Sequence, residues 1–150
     1  MPRRDLISIN GDKNYGLNVF DTVGIGGQNN PGDVMVVQAM FRYLYELWGA
    51  DEYSILGPLR KHLLLEPSGV IGSETINAIL RFQRFHSWQL ISADGKIHSA
   101  KYENRNISVG NGKPLMTITL LHFELWMAEP GLDYTGEIGR RFPNVAFWIK

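Results

Sequence analysis

The chain has 150 residues, 44% of them hydrophobic, with 15 basic residues, 15 acidic residues and no cysteine. A chain of that length and apolar content buries a core without disulfide or metal staples, and a single domain over residues 1–150 is the expected organisation. The balanced charge argues against nucleic acid or an anionic membrane as main partner, since both select basic surfaces, and the missing cysteine excludes disulfide and thiolate chemistry.

Residues 1–32 are rich in glycine and asparagine and hold two short apolar runs, Leu6–Ile9 and Leu17–Phe20. They read as extended segments laid over the domain. The basic start, Met1-Pro-Arg-Arg-Asp, is followed by no apolar stretch long enough for a Sec signal peptide, and no run is long enough to span a membrane. The expectation is a protein cytoplasmic as synthesised, reaching the periplasm or cell envelope, if at all, by a non-Sec route.

Asn30 caps a first helix, with Pro31 at its first position and Asp33 three residues on in a capping-box-like arrangement. That helix runs to about Trp48 and stops at Gly49. Val34, Val37, Phe41, Leu44, Tyr45 and Trp48 form one apolar stripe, and Val36, Met40, Tyr43 and Leu47 form a second beside it. A helix so widely apolar is buried on two sides, and the C-terminal third is the candidate cover. Leu59 to Leu65 suits a short additional helix.

Pro67 and Gly69 suit a tight turn, Gly72 permits another just before Ser73, and Ser73 offers a cap to the helix that follows, with Glu74 at its positive end. A positive φ at Gly72 would make a valine there damaging. Ile76, Ile79, Leu80 and Phe82 share one face of that helix; Glu74, Asn77, Arg81 and Arg84 share the other. Gln83 falls within the apolar face. A glutamine there must find partners or cost a few kcal/mol, so it is expected to tie to loop backbone. Further on, Pro114 opens a run from Leu115 to Met127 that favours a helix, although Met116-Thr-Ile-Thr-Leu120 also permits a strand start. Residues 131–150 read as loops ending in an apolar segment, Val145–Ile149, docked on the core. Ser108-Val-Gly-Asn-Gly112 echoes Thr22-Val-Gly-Ile-Gly26, an echo short enough to be either a decayed repeat or coincidence.

Several of these positions recur together in a known pattern. Gly69, Gly72, Thr75, Ala78, Ile79, Phe82 and Gln83, then Asp94-Gly95-Lys96-Ile97, with Asp33-Val34 and Val37-Gln38 upstream, resemble the bacterial peptidoglycan-binding-like domain family. The lead-in Thr22–Gly27 is similar to stand-alone members, some associated with secretion systems. The resemblance covers about residues 22–100. It implies a mainly α fold: a compact three-helix core over 22–100, with 1–21 as an extended N-terminal segment and 101–150 as an additional C-terminal helix and loops packed on it. Two departures stand out: Ser68 replaces the usual turn aspartate, and the stretch from Leu44 to Leu65 is longer than the usual connection.

No catalytic constellation is recognisable. His62, His86, His98 and His122 lack metal-ligand spacing, no Gly-x-Ser-x-Gly elbow occurs, and Glu46, Asp51, Glu52, Glu66 and Glu74 fit solvated helix ends or turns better than an acid–base pair. No metal or cofactor is expected, and binding is the more natural reading. Phe85 and Trp88 are the aromatics expected to be exposed for stacking. The glycine turns, Ser68–Gly72 and Asp94-Gly95-Lys96, should lie near each other on the family's architecture. Their amides, with Arg84 and Lys96, would then hold a stem-peptide carboxylate. The resemblance thus implies a non-catalytic module that binds peptidoglycan through its glycan or stem peptide. The alternatives are a protein–protein adaptor in a secretion-system or phage-derived assembly and, more weakly, a small cell-wall hydrolase. For Gly69, Gly72 and Gly95 the competing reading is turn geometry alone.

Overall fold

A computed structural model describes residues 1–47, 57–87, 92–103, 105–109 and 114–149. Strand β1 (Arg3–Ile9) and strand β2 (Asp12–Asn18) form an antiparallel hairpin in which Ile9 faces Asp12. The two residues between them, Asn10 (φ 50°) and Gly11 (φ 87°), both take the left-handed region that a twisted two-residue hairpin turn requires. Alternation along β1 buries Ile7 and Ile9 and leaves Leu6 half exposed. Strand β3 (Val23–Gly24) follows, then helix α1 (Pro31–Leu47). Helix α2 (Gly57–Arg60) continues into a 3₁₀ turn, Lys61–Leu63, and leads to helix α3 (Ser73–Phe85). Strand β4 (Lys96–Ile97) pairs antiparallel with β3, and strand β5 (Asn106–Ile107) pairs parallel with β1. Helices α4 (Thr117–Ala128), α5 (Tyr134–Arg141) and α6 (Pro143–Ala146) complete the chain.

The fold is therefore mixed α/β rather than mainly α around a three-helix core: helix accounts for 47% and strand for 16%, in sheets ordered β2-β1-β5 and β3-β4. The physical cause lies in the N-terminal segment, which folds back on itself at Asn10-Gly11 and offers its edge to β5 instead of lying over the helices as single extended runs. The second flank of α1 is covered as its double stripe requires, by α4, α5 and α6. The entry to α1 differs from a capping box. Asp33 is fully buried, and its carboxylate accepts from the backbone N–H groups of Phe20 (2.8 Å) and Asp21 (3.0 Å), fastening the incoming chain across the first turn. Two charge-assisted bonds offset the burial of that carboxylate.

Helix α3 buries Thr75, Ala78, Ile79, Phe82 and Gln83, the i, i+3, i+4 spacing of one face; Ile76 and Leu80 sit half-buried at its edge. Its cap is Gly72, in extended backbone (φ −156°) with no side-chain cap, so Ser73 is the first helical residue and Gly72 needs no glycine-only conformation. Residues 131–149 hold two helices where loops were expected. Asp133 caps α5 by accepting from the Thr135 N–H at 3.0 Å, and Arg140 and Arg141 stand in its last turn. Val145 of the apolar end is buried, whereas Phe147 is exposed. The Leu115–Met127 run is helical from Thr117 on.

Candidate functional site

Two glutamines organise the turns singled out in the sequence. Gln83 accepts from the Gly95 N–H at 2.9 Å, and its amide NH2 faces Lys96 O (2.9 Å), Thr117 Oγ1 (3.1 Å) and Asp94 Oδ1 (3.2 Å). Gln38, on α1, does the same one unit earlier. It accepts from the Gly69 N–H at 2.9 Å and donates to Val70 O and Thr75 Oγ1, both at 3.0 Å. Gly69 (φ 78°) and Gly95 (φ 73°) both occupy the left-handed region that lets a backbone N–H point back at a helix. Within each turn the side chain before the glycine accepts from the N–H after it: Ser68 Oγ from Val70 (3.2 Å) and Asp94 Oδ1 from Lys96 (3.0 Å). Serine thus does at position 68 what aspartate does at 94, which explains the departure noted there.

The consequence for binding is direct. The N–H groups of Gly69, Val70, Gly95 and Lys96 are all engaged inside the protein, so they are not open donors for a ligand carboxylate. The two turns also line separate depressions. Ser68 and Gly72 border one together with Glu66 and Glu74, whose charge repels an anion; Lys96 borders another with Thr22 and His98. Arg84 is exposed on α3, while Phe85 is half-buried, packed on the core and edge-on to His86 at 5.1 Å, rather than presented for stacking. Trp88 lies outside the described residues.

A different concavity gathers cations. The segment following β4 is tied down along its length. Buried Asn18 donates to Ala100 O (2.7 Å) and accepts from Ala100 N–H (3.1 Å). The Tyr102 hydroxyl meets Thr119 Oγ1 on α4 at 3.0 Å, and Asn106 Oδ1 accepts from Ser8 Oγ and the Gly11 N–H, both at 2.9 Å. Burial pushes the Tyr102 hydroxyl well above its ordinary range, so it stays neutral. Two open depressions of about 350 and 360 Å³ adjoin at Tyr102, Arg105 and Asn106, one reaching the start of α4 and the other the hairpin; together they are called the groove. Lys13, Lys101 and Arg105 line it, and among the described residues none is paired with a carboxylate and no acidic side chain lines either half. Leu6, Ile107, Leu115 and Met116 supply apolar wall. These residues come from the hairpin and from residues 100–119, about 90 positions apart in the chain, so no local motif announces them; the Lys101–Arg105 pair is the one short-range hint.

Two buried histidines lie elsewhere. His86 has Nδ1 at 2.9 Å from Phe82 O and Nε2 at 3.0 Å from Glu124. His122 is held neutral, its pKa lowered to about 4 by burial, with Nδ1 at 2.8 Å from the Tyr134 hydroxyl. Among the described residues no three histidines or carboxylates converge as a metal site, and no helix is long and apolar enough to cross a membrane. Comparison with protein-family models, with curated proteins and with solved structures found no match to this chain.

Proposed function

We propose that this chain is a non-catalytic module that binds peptidoglycan. The observation that carries the reading is the pair of glutamine clamps. Gly69, Thr75, Gln83 and Gly95, residues on which the sequence resembles the peptidoglycan-binding-like family, are the ones bonded in or to the two clamps. Their role is architectural, and the side chains around them are left to meet the ligand. A groove carrying three cations with no carboxylate partner among the described residues, beside apolar wall, suits a polymer whose peptides carry free carboxylates between methyl groups. Incubation of the purified protein with insoluble sacculi at neutral pH and moderate salt tests this. Most of the protein is expected in the pellet. Recovery entirely in the supernatant would overturn the reading and favour a protein–protein adaptor.

A further inference from the structure

The geometry points to the groove around Arg105 as a site for the carboxylates of a short extended peptide, which, resting on the wall-binding reading, is the stem peptide rather than the glycan. Three observations converge. Lys13, Lys101 and Arg105 line the groove with no carboxylate to neutralise them among the described residues. Asn106 spends its carbonyl oxygen on Ser8 and Gly11, while its NH2 has no partner among those residues. Helix α4 opens into the groove through Pro114, Met116 and Thr119, with no side-chain cap at Met116 and no acidic residue in its first turn. Its positive end therefore adds to the same field.

The groove's shape and lining select among anions. Arg105 lines both depressions, so a ligand that reaches from one to the other passes beside that charge. Leu6 and Met116, 52% and 39% exposed, offer apolar contact, one in each depression. A peptide with small apolar side chains and free carboxylates fits both features. A neutral glycan would leave the cations unpaired, and a bare phosphate would leave the apolar wall uncovered.

Isothermal titration with a soluble stem peptide bearing free carboxylates, and with its fully amidated counterpart, tests the assignment, run beside sacculus pelleting. The expected result is binding of the free-acid peptide that weakens at high salt, with roughly tenfold loss on amidation or in the Lys101→Ala/Arg105→Ala double variant, one decade corresponding to about 1.4 kcal/mol. Lys61→Ala, an exposed cation on the 3₁₀ turn, is expected to bind like the wild type, and a melting curve confirms that each variant folds. Equal affinity of wild type and double variant overturns the assignment, as does pelleting by a wild type that ignores the soluble peptide, a result that leaves wall binding standing. Peptide binding lost in the double variant, without pelleting, supports the groove and overturns the wall reading. Neither binding nor pelleting removes both.

Discussion

Gln83 has a side chain 1% exposed, with every polar atom engaged, and it joins α3, the Asp94–Lys96 turn and α4 at one point. Leucine has nearly the same volume and none of the bonding. Gln83→Leu would leave the buried Gly95 N–H and the half-buried Lys96 O without this partner, at about 1–3 kcal/mol for a buried group. The expected outcome is a loss of about 3 kcal/mol in chemical denaturation, with Gln38→Leu behaving alike because its bonds match. An unchanged midpoint for Gln83→Leu would show that the turn holds itself. Gly72 stands at the other extreme, since a Cβ there meets nothing within 4 Å and the backbone is extended.

At the scale of elements, α5 depends on its cap more than on its composition. It carries Gly136 and Gly139, which lower helix propensity, and it buries Tyr134, Thr135 and Ile138. Asp133 supplies the cap, and Arg4 from β1 meets the same carboxylate at 2.5 Å while donating to Thr135 Oγ1 at 2.9 Å. Burial alone would raise the Asp133 pKa, but hydrogen bonds from Thr135 and Arg4 and the charge of Arg4 carry it below the ordinary value. Asp133→Ala is expected to cost about 1–2 kcal/mol in a denaturant titration at pH 7. A carboxylate with a depressed folded pKa contributes above its unfolded pKa and loses that contribution as pH falls through the folded one. The difference between wild type and variant should therefore shrink in acid; a constant difference would assign the cost to packing.

The same elements show what the sequence disclosed. Helices α1, α3 and α4 were legible because apolar residues recur over three or more turns, and Gln83 was legible because a lone amide interrupts such a face. Helix α5 was not, since its two glycines outweighed the Asp133 cap in a local reading. The hairpin was missed although Asn10-Gly11 is a strong turn signal, and β5 has only two residues with which to announce itself. Of the candidate site, the turn at Gly95 lies 12 residues from its glutamine, but that at Gly69 lies 31 from Gln38, and so the repeat was hidden. The cationic groove exists only once β1, β2, β5 and α4 are assembled.

At the scale of the whole molecule, hairpin and helices are joined through one buried polar chain. The Leu17 N–H of β2 donates to the Tyr134 hydroxyl of α5 at 3.1 Å, and that hydroxyl lies 2.8 Å from Nδ1 of His122 on α4. Protonating the ring would place a charge at a site 1% exposed. Burial accordingly lowers the His122 pKa from 6.5 to about 4. A histidine whose folded pKa lies below its unfolded one contributes stability above pH 6.5 and loses it as pH falls towards 4. The full effect is about 3 kcal/mol, enough to matter for a domain of ordinary stability. His122→Gln keeps a hydrogen-bonding side chain for Tyr134 and does not titrate. Unfolding free energies of wild type and variant should therefore converge between pH 7 and pH 4, the wild type falling and the variant losing only what their shared groups contribute. Parallel curves over that interval would mean that the junction between hairpin and helices tolerates the charged ring.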